Sequence, residues 1–178
     1  MFKTFVFVLA ISACFQPTLA GGCLDPQGSP CACAGVPSDG HFFLTSFGGT
    51  SCACGECGKY GMFFSASKQR FGCGAHLNVC KDWAVDQDRA KSPFATCLKL
   101  TVVDYGPSCF VDNDAGGSVL DASTAVCKYI TGGTSCGWSD HFKIQVTRAA
   151  APEIDGIPLG PFNMTWAQYD ELVKVELM

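Results

Sequence analysis

The stretch Leu100-Thr101-Val102-Val103-Asp104-Tyr105-Gly106-Pro107, followed by Val119-Leu120-Asp121-Ala122-Ser123, decides the fold of this chain. Aliphatic and β-branched residues in the first run favour a strand. Gly106-Pro107 ends it in a turn. The second run sets two apolar residues before an acid, and Ser123 offers a side-chain oxygen to the open N–H groups of a helix. That helix is expected to run to Ile130 and to stop at Gly132-Gly133. Working outward, Leu98, Leu100 and Val102 alternate with Lys99, Thr101 and Val103, the period-two signature of a half-buried strand over residues 97–105. Phe142, Ile144 and Val146 alternate in the same way with Lys143, Gln145 and Thr147, so residues 139–147 read as a closing strand. Upstream, Phe42, Phe43, Leu44 and Phe47 give residues 41–47 a strand composition that Gly48-Gly49 breaks. Residues 63–80 are less regular, with a turn at Gly72-Cys73-Gly74 and a short strand at His76-Leu77-Asn78-Val79.

Residues 1–20 have the form of a signal peptide, with Lys3, an apolar run over residues 5–15, and the small-residue site Thr18-Leu19-Ala20. No later stretch approaches the roughly 20 apolar residues that a membrane helix needs. A secreted, soluble, monomeric product with no membrane partner is expected. Cys14 leaves with the leader, so twelve of the thirteen cysteines remain. An even number in a secreted chain implies six disulfides among Cys23, Cys31, Cys33, Cys52, Cys54, Cys57, Cys73, Cys80, Cys97, Cys109, Cys127 and Cys136, with connectivity open. The crowding of residues 23–80 with cysteine makes the N-terminal half the more dependent on cross-links. The Cys52-x-Cys54-x-x-Cys57 run has metal-ligand spacing, but an oxidising compartment favours disulfides, and no metal or other cofactor is expected.

Loss of Lys3 takes the formal net charge from −4 to −5. This argues against a nucleic-acid partner, which calls for a basic face, and weighs against an anionic polymer. Asn163-Met164-Thr165 is a glycosylation sequon.

The order hydrophobic strand, Asp-x-Gly-Pro, loop, short strand ending Leu-Asp, Ser cap and short helix, carried by residues 100–107 and 119–130, resembles the double-psi β-barrels. These include expansin-like proteins, family 45 endoglucanases, barwin and RlpA-type lytic transglycosylases. The resemblance spans residues 41–147. It implies a mainly β, disulfide-rich fold, a six-stranded double-psi β-barrel with one or two short helices. The expected organisation is a signal peptide (1–20), a Cys/Pro-rich arm (21–40), the barrel (41–148) and a tail (149–178). In the tail, Thr165-Trp166-Ala167-Gln168 fits a capping box, and residues 172–177 alternate like a strand. A short helix followed by a possible last strand is the reading.

Glycosidic cleavage generally uses two carboxyl groups roughly 5–9.5 Å apart, one protonated and one ionised. By resemblance, Asp121 stands where the endoglucanases and expansins place a groove-facing Asp, and Asp104 matches the Asp of the Asp-x-Gly-Pro motif. Asp114, in a Gly-rich loop, has the spacing of an assisting carboxylate. Each has a structural alternative: Asp104 ties its own turn, Asp121 supports the following helix, and Asp114 is a solvated loop residue. The stretch matching the endoglucanase Thr-Arg-Tyr-Trp-Asp signature is Thr45-Ser46-Phe47-Gly48-Gly49, so Gly49 occupies the place of the catalytic base unless Asp86 or Asp88 reaches in. Tyr60, Trp83, Tyr105 and Trp138 are candidates to stack on sugar rings. Trp138-Ser139-Asp140-His141 is no triad, because neighbours on a strand point to opposite faces.

These readings point to a secreted expansin-like, EG45-like protein that binds or remodels an extracellular polysaccharide of the cell wall (glucan, chitin or peptidoglycan) without hydrolysis. The alternatives are a family 45-like glycosidase or lytic transglycosylase using Asp121 as acid, and a protease-inhibitor or other module that binds a secreted protein.

Overall fold

The structure is a computed structural model that describes residues 23–24, 30–31, 35–82, 89, 91–133, 136–149 and 159–176. In chain order its elements are β1 (Cys23–Leu24), β2 (Pro30–Cys31), β3 (His41–Phe47), β4 (Ser51–Cys52), β5 (Gly55–Glu56), a 3-10 turn (Cys57–Tyr60), β6 (Phe64–Ser65) and α1 (Lys68–Phe71). Then come β7 (His76–Lys81), β8 (Phe94–Val102), α2 (Cys109–Ala115), β9 (Val119–Ser123), α3 (Thr124–Thr131), a second 3-10 turn (Trp138–Asp140), β10 (Lys143–Arg148), β11 (Gly160–Thr165) and α4 (Trp166–Glu176). Six strands follow one another in the order β8-β6-β9-β3-β10-β7, and β7 pairs back onto β8 to close the ring. The β3–β9 and β6–β8 pairs are parallel. The fold is the mainly β, six-stranded double-psi barrel that the sequence implied, with more helix than the one or two short pieces expected.

Alternation fills the barrel. Leu44, Leu98, Leu100, Leu120, Ala122 and Ile144 meet inside it, so the residues between them on β3, β8 and β9 face outward. On β8 the reading of a half-buried strand is corrected, because Lys99 and Thr101 are buried as well. Lys99 stands opposite Gly160 of β11, which lies antiparallel along β8, and Thr101 lies between β6 and β7 with its Oγ1 3.2 Å from His76 Nδ1. Tyr169 of α4 packs with Ala95, Cys80 and Cys97 outside the ring. The strand itself ends at Val102, short of Tyr105.

Other boundaries moved for local reasons. Residues 138–140 form a 3-10 turn rather than the start of a strand, because Gly137 N–H donates to the Asp140 carboxylate at 2.8 Å. Residues 109–115, read as loop, are helical. The tail reverses the expected order: a strand comes first, and the helix after it runs on to Glu176. The capping box is present, with Gln168 N–H donating to Thr165 Oγ1 at 3.3 Å and Thr165 N–H to Gln168 Oε1 at 2.9 Å. Once started there, the helix sets Trp166, Tyr169, Leu172 and Val173 against the barrel, and that packing overrides the strand-like alternation of residues 172–177.

Four disulfides join Cys52 to Cys57, Cys54 to Cys73, Cys80 to Cys97 and Cys127 to Cys136, and Cys109 is disulfide-bonded as well. Cys23 stands opposite Cys31 across the β1–β2 pair. Cys33 and residues 1–20, with the expected leader, lie outside the described residues. No helix among the described residues is long and apolar enough to cross a membrane.

Candidate active site

Asp121 lies on β9 between Leu120 and Ala122, both turned into the core, so its side chain leaves the barrel on the outer face. Its partner on β3 is Thr45. The loop after β8 folds back over this point. Asp104 Oδ1 accepts from Ala53 N–H and Tyr105 N–H, each at 2.8 Å. The Asp104 carbonyl accepts from Lys68 N–H at 2.9 Å, and Gly106 N–H donates to Gln69 Oε1 at 3.2 Å. Ala66 N–H, just before α1, donates to the Asp121 carbonyl at 2.8 Å. Residues 66–69 and 104–106 are thus stitched into one cover above β9.

Gly106 makes that cover possible. Its φ is +121°, and a Cβ there would stand 3.1 Å from the Ala66 Cβ and 3.5 Å from Asp121 Oδ2. Any other residue would push the loop away from the carboxyl.

Burial under this loop, and then the negative charge of Asp104, push the Asp121 carboxyl up to about 6. Both causes penalise the ionised form. A carboxyl supporting the N-terminus of α3 would shift the other way, and that cap belongs to Ser123, whose Oγ accepts from Val126 N–H at 3.4 Å. Among the described residues the Asp121 carboxyl has no hydrogen-bond partner. A half-buried acid that keeps its proton up to about pH 6, with that proton uncommitted, has the properties of a general acid in mildly acidic solution.

Three exposed aromatics lie in the cover or on the segments that follow Pro107 and Cys136. Tyr105 is 55% exposed immediately before the Gly106-Pro107 turn, and Phe110 is 39% exposed shortly after it. Trp138, 36% exposed, stands edge-on to Phe110 with ring centroids 6.5 Å apart. The turn that bears Trp138 follows Cys136, whose carbonyl accepts from Ser46 N–H and Ser46 Oγ, each at 3.1 Å, so this aromatic pair is tied to β3 beside Thr45. Phe110 was missed because its helix was read as a loop. Asp114 lies on the exposed side of α2. The side chain of Tyr60, and Trp83, Asp86 and Asp88, lie outside the described residues. Gly49 stands beside the Cys57 sulfur and supplies no carboxylate. His141 packs edge-on against Phe43 with ring centroids 5.0 Å apart. Asn163 is exposed on β11.

The carboxylate of α2 that turns inward is Asp112. It pairs with the buried Arg70 guanidinium, and its Oδ1 accepts from Val119 N–H at 2.8 Å. Arg70 Nη1 donates to the Val119 carbonyl at 3.1 Å. Burial moves the Asp112 carboxyl upward while Arg70 opposes the shift. The pair clamps the first residue of β9, the strand that bears Asp121. No local pattern links residues 70, 112 and 119, so nothing in the linear order of residues signals it.

The family model described as AlyA: Lysozyme A matches residues 32–177. Lysozyme C of Dictyostelium discoideum is 43% identical over 144 residues, covering 79% of this chain and 71% of that protein. Lysozyme A of the same organism is 36% identical over 170 residues, covering 94% and 84%. Lysozyme B is 36% identical over 161 residues, covering 89% and 81%. No solved structure matches the chain.

Proposed function

Because the chain belongs to the AlyA lysozyme A family, we propose that it is a secreted lysozyme-like glycosidase that cleaves the glycan strands of peptidoglycan, with Asp121 as proton donor. The non-hydrolytic, expansin-like reading is corrected by the lysozyme relatives, which match at 36% to 43% identity over most of the chain. That reading rested on Gly49 standing where the endoglucanases carry a base. The inference assumed their layout, and it took no account of the environment that the 104–107 loop builds around Asp121.

The observation that carries the proposal is the Asp121 carboxyl, held near 6 by burial and Asp104. Asp121 gives its proton to the glycosidic oxygen as the bond from that oxygen to C1 breaks. The electron pair leaves with the oxygen, and positive charge develops at C1 and the ring oxygen. Ionised Asp104, held in place by Ala53 and Tyr105, opposes that charge. Water adds at C1, and its proton restores Asp121. Tyr105, Phe110 and Trp138 offer faces on which the flanking sugars rest. The polysaccharide partner expected from the sequence is retained, with peptidoglycan as its identity and an oxidising, extracellular setting for the disulfides.

Two variants report on these roles. Asp104→Asn keeps an oxygen for Ala53 and Tyr105 but removes the charge. It lowers kcat/KM about 10²-fold and moves the alkaline limb of the pH–rate profile toward acid, since the charge that helped raise Asp121 is gone. Trp138→Ala raises KM about tenfold, the loss of one stacking contact, with kcat little changed.

The test of function is release of reducing ends by the oxidised protein from peptidoglycan, cellulose and β-glucan in parallel. Release from peptidoglycan alone is expected. Release from none of the three overturns the proposal.

A further inference from the structure

We infer that Lys68 and Tyr105 form an anion subsite in the loop cover over Asp121, which reads a carboxylate on the substrate strand. The inference rests on the glycosidase reading and extends it to the choice of substrate. Lys68 Nζ donates to the Tyr105 hydroxyl at 3.1 Å and lies 4.3 Å from the centre of its ring. Its backbone N–H is held by the Asp104 carbonyl at 2.9 Å. The ammonium is therefore fixed at both ends of its residue to the loop that covers Asp121. Tyr105 takes one of its three donors. Among the described residues no carboxylate pairs with Lys68.

The whole chain carries a formal charge of −4, which opposes a polyanion. A fixed cation beside an exposed aromatic face supplies the local attraction that the overall charge lacks. The ligand chemistry is a sugar ring on Tyr105 with a carboxylate within reach of Lys68. On a peptidoglycan strand that carboxylate comes from the lactyl ether of a muramic acid residue or from the stem peptide attached to it. A neutral N-acetylglucosamine polymer has neither.

The experiment measures kcat/KM of wild type, Lys68→Met and Lys68→Arg on three substrates: intact peptidoglycan strands, strands stripped of stem peptides so that the lactyl carboxylates are free, and stripped strands whose carboxylates have been reduced to alcohols. Wild type is expected to prefer a carboxylate-bearing strand over the reduced one by about tenfold, the worth of one charge-assisted hydrogen bond. Lys68→Met brings that ratio near unity, and Lys68→Arg restores most of it. Preference for the stripped strand assigns the contact to the lactyl carboxylate, and preference for the intact strand assigns it to the stem peptide. Equal wild-type rates on all three substrates, or a Lys68→Met ratio as high as wild type, overturns the subsite while leaving the glycosidase intact. A wild type inactive on all three overturns the glycosidase reading, and the subsite with it.

Discussion

Asp121→Asn is expected to cut kcat on peptidoglycan by about 10³-fold or more, the upper part of the range for a general acid, while the protein becomes no less stable at pH 7. The amide keeps the shape of the side chain but has no proton to transfer. Stability follows from the sign of the shift. The Asp121 carboxyl sits near 6 in the folded protein, against an ordinary value of 3.8, so the folded state binds the proton more tightly than the unfolded one. Wild-type stability therefore falls as pH rises from about 4 to about 6, by up to about 3 kcal/mol. Above pH 6 that cost is fully present, and the Asn variant is free of it. Below about pH 4 the acid is protonated in both states and the advantage disappears. Melting temperatures of the two proteins at pH 4 and pH 7, set beside their turnover, check both halves. A variant with turnover near wild type removes Asp121 from the chemistry. The same shift gives wild type an alkaline limb in kcat/KM, declining about tenfold per pH unit above about 6.

Arg70→Met is expected to destabilise the fold by about 3–5 kcal/mol, the cost of stranding a buried charge. Asp112 would keep its bond to Val119 N–H but lose the guanidinium that opposes the effect of burial on its carboxyl. Its carboxyl then moves further upward. The folded form takes up a proton as pH falls, so the loss is largest at neutral pH and partly recovered in acid. Arg70→Met combined with Asp112→Asn removes the stranded charge and is expected to regain part of the stability. Denaturant unfolding of the two variants at neutral and acid pH measures this. Equal stability of wild type and Arg70→Met would mean that the clamp on β9 contributes nothing.

What could be read from the sequence was what short-range chemistry determines. Residues 41–47 and 119–123 form strands, Ser123 caps a helix, and Thr165 with Gln168 starts another, because strand composition, an acceptor oxygen and a reciprocal cap are all local. Asp121 was legible as a candidate acid only through the resemblance to the double-psi barrels, which places an Asp at that position. Its environment was not, because the loop that buries it is held by Ala53, Lys68 and Gln69, brought from elsewhere in the chain. Asp112 was hidden for the same reason, and attention fell on Asp114, its exposed neighbour on the same helix. Strand β8 looked half-buried because its further neighbours come from elsewhere in the chain: β11, from a tail whose alternation was misleading, beside Lys99, and His76 beside Thr101. Net charge weighs against an anionic polymer while the proposed substrate carries carboxylates, and a sum over the chain says nothing about one lysine fixed beside one tyrosine.

The central claim is that this protein breaks glycosidic bonds with the proton of Asp121. The most direct test is a digest of purified peptidoglycan near pH 5 by wild type and by Asp121→Asn, with soluble fragments identified by mass spectrometry. Disaccharide units carrying intact stem peptides, released by wild type and absent with the variant, are the predicted result. Fragments cut within the peptide, or the same fragments from both proteins, would contradict it.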